Sequence, residues 1–325
     1  FVNEHEAATI FHRAGCKTVI EKSFGHMSYF LYAQRGDAIE VILPLGHVKS
    51  LLFGSSLVST PFCVYGGVVA KNNEARDVLV KHAMQLAEQH GVDYLELRNI
   101  NREFTDWPKK DLYFTFRKRI DPDSDVNMKE IPRKQRAMVR KAIQQELQSH
   151  VEDNIDAVYE AYSESVRNLG TPVFAKKYFQ ILKQVFSDEC ENLVITTKTG
   201  ELVAGVLSFY FKDQVLPYYG GGTSLARAVK GNDYMYWELM RRSAERGIAI
   251  FDYGRSKKGT GSYSFKKNWG FTPEPLSYEY YLVNAKEVPN VNPLNPKYKI
   301  FINIWKNLPI AVTKTVGPFI SRNLG

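Results

Sequence analysis

The run Ile248-Ala249-Ile250-Phe251-Asp252-Tyr253-Gly254-Arg255-Ser256-Lys257 passes from a short, largely apolar segment into glycine and cations. The apolar part suits a buried strand. Beyond it, Lys258-Gly259-Thr260-Gly261-Ser262-Tyr263-Ser264-Phe265-Lys266-Lys267-Asn268-Trp269-Gly270-Phe271 keeps the same basic and aromatic character. Between Arg255 and Lys267 lie five cationic side chains and no acidic one. A loop of this kind, leaving the end of a buried strand, marks the ligand edge of an α/β sheet. Glycines at 254, 259 and 261 let backbone N–H groups approach an anion closely. A solvated basic loop would share this composition, but the interleaved Tyr263, Phe265, Trp269 and Phe271 favour a binding role.

Upstream, residues 233–246 form an expected helix with Asn232 as its N-cap and Gly247 at its end. Tyr236, Leu239, Met240 and Ser243 fall on one stripe of it. Before it stands Val215-Leu216-Pro217-Tyr218-Tyr219-Gly220-Gly221-Gly222, a strand ending in two tyrosines and three glycines. Its backbone N–H groups could face an acyl carbonyl and its phenols a proton in transfer; structural aromatics beside a turn would look similar. Further strands are expected over 193–198, 202–212 and 276–283, with helices over 127–148, 155–168 and 175–186. On the first of these helices Arg133, Arg136 and Arg140 share a stripe, joined by Lys134 and Lys141, opposite Ile131, Met138 and Ala142. The stripe is either a solvated face or a contact surface for a phosphate backbone.

The first half has a similar order: a helix over 14–23, a hairpin over 29–33 and 38–43, a helix over 74–90, and strands over 92–97 and 112–116. Asp121-Pro122-Asp123-Ser124-Asp125 reads as the junction. The expected layout is a domain over 1–122, a second over 123–288 carrying the donor site, and a tail over 289–325. The shared order suggests duplication of a mixed α/β unit with helices flanking a sheet.

Composition narrows the function classes. The 325 residues suffice for two cores, and 44% hydrophobic with 24% charged residues is ordinary for a folded chain. The net charge of +8 favours polyanionic or phosphate-bearing partners. Phe1-Val2-Asn3-Glu4-His5 has neither a basic start nor an apolar run, so no signal peptide is expected and the chain reads as cytoplasmic. Cys16, Cys63 and Cys190 are far apart and read as small core residues in a reducing compartment. Neither they nor the seven histidines show metal-ligand spacing, so no metal is expected. G-x-S-x-G, P-loop and dinucleotide motifs are absent.

Taken together, Tyr218-Tyr219-Gly220-Gly221, Asn232-Asp233-Tyr234-Met235-Tyr236-Trp237-Glu238, Phe251-Asp252-Tyr253-Gly254-Arg255-Ser256-Lys257 and Phe265-Lys266-Lys267-Asn268-Trp269-Gly270-Phe271 resemble the FemAB-like proteins associated with exosortase/PEP-CTERM systems. Leu52-Phe53-Gly54, Pro61-Phe62-Cys63-Val64-Tyr65-Gly66-Gly67 and Ile131-Pro132-Arg133-Lys134-Gln135-Arg136 extend the likeness through most of the chain. The resemblance implies two tandem acetyltransferase-like (GNAT) domains. It implies transfer of an acyl or aminoacyl group to an amine by direct attack, without a covalent enzyme intermediate or cofactor. The donor would be aminoacyl-tRNA, or alternatively acyl-CoA or an acyl carrier. The acceptor would be a cell-envelope precursor such as one of peptidoglycan, or an exopolysaccharide amino sugar. A degenerate module that binds tRNA or glycan without chemistry is the other alternative.

In Fem ligases a late Phe-Lys pair lies on the donor side, and Phe265-Lys266 matches it. Lys266 is thus expected to stabilise the donor or its oxyanion, with Tyr219 or Asp252 handling the proton. Tyr218, Asn232, Tyr236, Arg255, Ser256, Lys257, Phe265, Lys267 and Trp269, with Arg133, Arg136 and Arg140, are the expected binding residues. Two family features are missing: the coiled-coil arm of some Fem ligases, and the Gln/Arg-x-x-Gly-x-Gly/Ala phosphate loop of simple acetyl-CoA enzymes. Arg227-Ala228-Val229-Lys230-Gly231-Asn232 has the wrong spacing for that loop.

The tail admits two readings. Pro289, Pro293 and Pro296 interrupt it, and residues 297–307 then form an expected basic, aromatic helix. Packing across the second domain is preferred over peripheral contact with the inner face of a membrane, because Pro309 and Pro318 interrupt a long amphipathic helix.

Overall fold

The computed structural model describes residues 1–50, 54–289 and 296–324. The chain forms two compact units: Phe1–Tyr113 with Pro275–Asn292 and Phe319–Gly325, and Phe114–Glu274 with Pro293–Pro318. The Leu52-Phe53 pair and the Pro293 break lie outside the described residues.

In the first unit α1 (Gly15–Phe24) buries Cys16, Val19, Ile20 and Phe24, one face of a helix, and ends at Gly25 in the left-handed region. β1 (Met27–Arg35) and β2 (Ala38–Ser50) form the expected hairpin, followed by β3 (Gly54–Ser59) and β4 (Val69–Ala70). α2 (Asn73–Gln89) is capped by the Asn72 side chain, which accepts from the Ala75 N–H at 2.9 Å. Its Leu79, Val80, Ala83 and Ala87 pack on Val41, Leu43, Leu45 and Leu57 of the sheet. β5 (Tyr94–Asn99) and β6 (Lys109–Lys110) follow.

β7 (Tyr113–Arg119) leads into the second unit. There α3 (Ser124–Glu130), α4 (Arg133–Ile143) and β8 (Gln148–Glu152) replace the single helix expected over 127–148. Pro132 cannot donate to an α-helical ladder and holds Ile131 extended, so the helix breaks there. α5 (Asp156–Leu169), α6 (Lys176–Phe186), β9 (Cys190–Thr196), β10 (Leu202–Phe211), β11 (Gln214–Gly222), α7 (Ser224–Val229), α8 (Gly231–Glu245) and β12 (Ile250–Asp252) follow. α8 begins at Gly231 after Lys230, which is left-handed; Asn232 is therefore inside the helix and not its N-cap. After β13 (Ser256–Lys257), the Thr260 side chain caps a further helix, α9 (Gly261–Asn268), within what reads in sequence as a loop. β14 (Pro273–Pro275), β15 (Ser277–Leu282), α10 (Pro296–Asn307) and α11 (Ile310–Ser321) complete the chain.

Among the described residues the sheets run β1-β2-β3-β5-β15-β6, with β4 on β2, and β13-β7-β12-β11-β10-β9-β8, with β14 on β7. Both units repeat one path: helix, three antiparallel strands, helix, then a strand parallel to the third. Each sheet is then extended by a strand distant in sequence from the one it pairs with. β15 pairs antiparallel with β5 in the first sheet, and β7 pairs antiparallel with β12 in the second. The cut at residue 122 and the placement of 276–283 in the second domain thus differ from the structure. An apolar strand pattern shows that a strand exists, but not which sheet edge it completes.

Candidate functional site in the second unit

β11 and β12 are parallel, yet pair only at Gln214↔Ile250 and Val215↔Phe251. β11 then continues to Gly222 along β10, while β12 turns into Tyr253-Gly254-Arg255. Beyond that pair the two strands follow different paths, and the basic loop begins where they part.

Asp252 closes β12 and is buried. Its carboxylate accepts from the Gly254 N–H at 2.7 Å and the Thr115 hydroxyl at 3.4 Å, and faces Arg117 Nε at 3.4 Å. Gly254 sits at φ +63°, so a residue with a Cβ would be strained in this turn. Lys266, from α9, is also buried. Its Nζ donates to the carbonyls of Tyr253, Gly254 and Arg255 at 2.7, 3.0 and 3.0 Å, so all three N–H bonds of an ammonium are used inside the loop. Burial pushes its pKa down from 10.5 to about 7; Asp252 raises it in part and Arg255 lowers it further. The ammonium expected at the donor is thus turned inward, and ties down the turn that bears Arg255.

Around this turn Tyr253, Tyr236, Phe265 and Trp269 pack edge-to-face or tilted, with the Tyr236 and Tyr253 ring centroids 5.0 Å apart. Burial pushes Tyr236 up to about 12 and Tyr253 well above the ordinary tyrosine range, so both phenols keep their protons. Trp269, expected at the donor surface, is fully buried in the core of the unit, because α9 turns its last residues onto α8. Ser256 is buried as well, and its Oγ has no hydrogen-bond partner among the described residues. Arg255 and Lys257 are partly exposed and Lys267 is exposed.

Tyr218 and Tyr219 stand on β11 beyond its pairing with β12. Tyr219 belongs to a separate aromatic cluster with Tyr162, Phe174, Tyr178 and Phe179, and its hydroxyl lies 3.3 Å from that of Tyr178. The neighbouring glycines serve packing: a Cβ on Gly221 would stand 2.2 Å from Ser165 Cβ, and one on Gly222 2.3 Å from Ala226 Cβ. Asn232 is exposed beside Gly222. Where acetyl-CoA enzymes carry a phosphate loop, α7 intervenes and Gly231 is packed against Val203.

On α4, Arg133, Arg136 and Arg140 line a surface groove of about 490 Å³ together with Lys141 and Gln144. Val139 and Ala142 point the other way, into the core. Gln135 donates to Asp233 in the first turn of α8, fastening the basic helix there. Burial raises the Asp233 pKa. Local spacing could not have shown the partners Thr115, Arg117 and Tyr178, which come from distant strands and helices.

The first unit has the same parallel pair, β3 with β5, joined at Ser56↔Tyr94 to Val58↔Glu96. Beyond the pair its own backbone follows. Gly66 and Gly67 N–H groups donate to the Arg98 carbonyl at 3.3 and 3.2 Å, and the Val68 N–H donates to Asn99. The Arg98 guanidinium holds the Cys63 carbonyl at 2.8 Å and Glu96 at 2.7 Å. Burial would raise the Glu96 pKa, but Arg98 and Lys110 outweigh it and hold the carboxyl below its ordinary range. Residues 60–67 are all buried, so in this unit the strand opening is occupied by protein.

The three thiols are buried, and none is in a disulfide. Burial pushes Cys190 up to about 12, and Cys16 is raised chiefly by its hydrogen bond with Cys63. Neither is a thiolate nucleophile. Among the described residues no group of His, Cys, Asp and Glu could hold a metal ion, and no helix is long and apolar enough to cross a membrane.

Residues 128–267 match the acetyltransferase (GNAT) domain family. A search of curated proteins finds no match. Among solved structures, FemX is similar over 87% of this chain and 94% of its own, at 14% identity and TM-score 0.68. The C-terminal domain (DUF2156) of a putative lysylphosphatidylglycerol synthetase from Agrobacterium fabrum is similar over 85% and 90%, at 12% identity and TM-score 0.59. A tandem GNAT protein from the clavulanic acid biosynthesis pathway covers 85% and 91%, at 10% identity and TM-score 0.50.

Proposed function

We propose that this chain, which carries two tandem GNAT-like domains and is similar to FemX over most of its length, is an acyl or aminoacyl transferase whose donor binds in the second domain. The observation that carries the reading is the contrast between the two strand openings. In the first unit residues 60–67 occupy it; in the second the strands part beside the basic loop. That gap suits an extended donor arm and a polarised carbonyl. An acceptor amine attacks the donor carbonyl directly, a tetrahedral oxyanion forms, and the amine gives up a proton as the leaving group departs.

Tyr219 is the residue we assign to that proton: its phenol takes the proton of the amine while passing its own to the departing donor atom, with the Tyr178 hydroxyl as its hydrogen-bond neighbour. Asp252 is already engaged by Gly254, Thr115 and Arg117, and acts as the fastening of the loop. Lys266 positions the turn, so that Arg255 and Lys257 can meet donor phosphate. The arginine groove on α4 favours a polyanionic donor, aminoacyl-tRNA, over acyl-CoA or an acyl carrier. The acceptor is an amine of a cell-envelope precursor or an exopolysaccharide.

Incubation of the purified chain with charged tRNA, or with acyl-CoA, and a panel of amines should yield amide with the tRNA donor. Binding of tRNA should weaken steeply with salt, and Arg136→Gln should reduce the slope of log K against log salt by roughly 0.7–0.9. Amide formed only from acyl-CoA, with tRNA affinity indifferent to salt, would replace the donor. No amide from any donor would leave a binding module.

A further inference from the structure

α10 and α11 pack on the second unit by narrow faces. On α10, Trp305 is buried at 3% exposure and Ile302 is seated on Gly170, where a Cβ would stand 2.5 Å from its side chain. On α11 the buried positions are small or polar. Thr313 is 0% exposed, its hydroxyl bonded to the Ile310 carbonyl, and Gly317 lies so close to Val173 that a Cβ would meet its backbone at 2.7 Å. The apolar side chains face the other way: Ile300 is 71% and Ile304 58% exposed, with Phe301, Val312 and Val316 exposed beside them. Leu169, next to Gly170 at the end of α5, is exposed as well. A helix that buries threonine and glycine while presenting valine to solvent has its amphipathic sense reversed relative to a helix on a water-exposed surface. Large apolar side chains exposed in rows at helical spacing, Ile300, Phe301 and Ile304 on α10 and Val312 and Val316 on α11, call for an apolar partner.

Charge identifies the partner. After Glu287 the sequence holds five cationic residues, Lys297, Lys299, Lys306, Lys314 and Arg322, and no carboxylate side chain. Three of the lysines belong to α10 itself. Lys314 is neutralised by Glu160, and Lys306 is exposed. A second copy of this chain would bring the same cations face to face. An anionic lipid surface suits both features, since it combines an acyl boundary for the apolar side chains with negative headgroups for the lysines.

We propose that α10 and α11 form a docking surface for an anionic membrane, with Ile300, Phe301, Ile304, Val312 and Val316 entering the headgroup–acyl boundary. Binding to vesicles is read without the transfer reaction, so it does not depend on the proposed activity. The full chain should co-sediment with phosphatidylcholine vesicles containing phosphatidylglycerol, more weakly with phosphatidylcholine alone, and less in high salt. Ile300→Ser and Ile304→Ser each remove an exposed side chain, so the thermal midpoint should stay unchanged while the vesicle partition coefficient falls about tenfold per substitution. Lys306→Glu should weaken binding to the anionic vesicles alone. Three results would overturn the proposal: no sedimentation of the intact chain with either vesicle, sedimentation indifferent to the isoleucine substitutions, or a dimer by light scattering that Ile300→Ser dissociates.

Discussion

Replacing Lys266 with methionine separates what burial does to this ammonium from what its carbonyl partners do. Lys266→Met keeps the length of the side chain and removes both the charge and the three N–H donors that reach Tyr253, Gly254 and Arg255. The pKa falls from 10.5 in the unfolded chain to about 7 in the folded one, so between those values the unfolded chain binds more protons. Stability must then rise with pH across that window, by up to about 1.4 kcal/mol per pH unit, and the burial penalty is at its full size below the folded value. Methionine does not titrate. The stability of the native protein minus that of the variant should therefore grow by about 2 kcal/mol from pH 7 to about pH 9. The absolute difference at one pH combines the relief of burying a charge with three orphaned carbonyls, costing about 1–3 kcal/mol each, so the slope is the sharper readout. Urea unfolding of both proteins at several pH values measures it. A difference that stays flat would mean that the three carbonyls hold the proton on the amine against burial, and would refute the reasoning.

Arg98→Met should destabilise the first unit by about 3–5 kcal/mol in denaturant unfolding, because it leaves Glu96 buried without its partner and frees the Cys63 carbonyl. Gly221→Ala should cost about 1–3 kcal/mol in the same assay, since its Cβ would collide with Ser165 on α5; an unchanged midpoint would show that α5 can shift away. Tyr219→Phe should lower the rate of amide formation by roughly 10²–10⁴-fold at an unchanged melting temperature, and an unaltered rate would move the proton path elsewhere.

Several elements were legible because their causes are local. The stripe Cys16, Val19, Ile20 and Phe24, closed by Gly25, and the hairpin around Gly36-Asp37 needed only periodicity and turn chemistry. β3 was missed: Gly54–Ser59 is short and carries three serines, so its pattern does not announce a strand. α9 was hidden by glycines at 259 and 261, which read as loop residues until Thr260 is seen to cap the helix. α11 was hidden by Pro309 and Pro318.

The sequence by itself determined that this is a two-part α/β chain with a basic, glycine-rich turn after a buried strand, since alternation, helical spacing and charge are properties of neighbours in the chain. It also carried the likeness to the tandem acetyltransferase fold. Only the tertiary structure decided which strand completes which sheet, because β7 and β15 satisfy their backbone groups on edges far away in sequence. It alone showed Lys266 turned inward onto three carbonyls, where its position in the sequence suggested a hand for the donor. The direction of a long side chain is chosen by burial and by the acceptors within reach, and those are assembled only when β12, the turn and α9 come together.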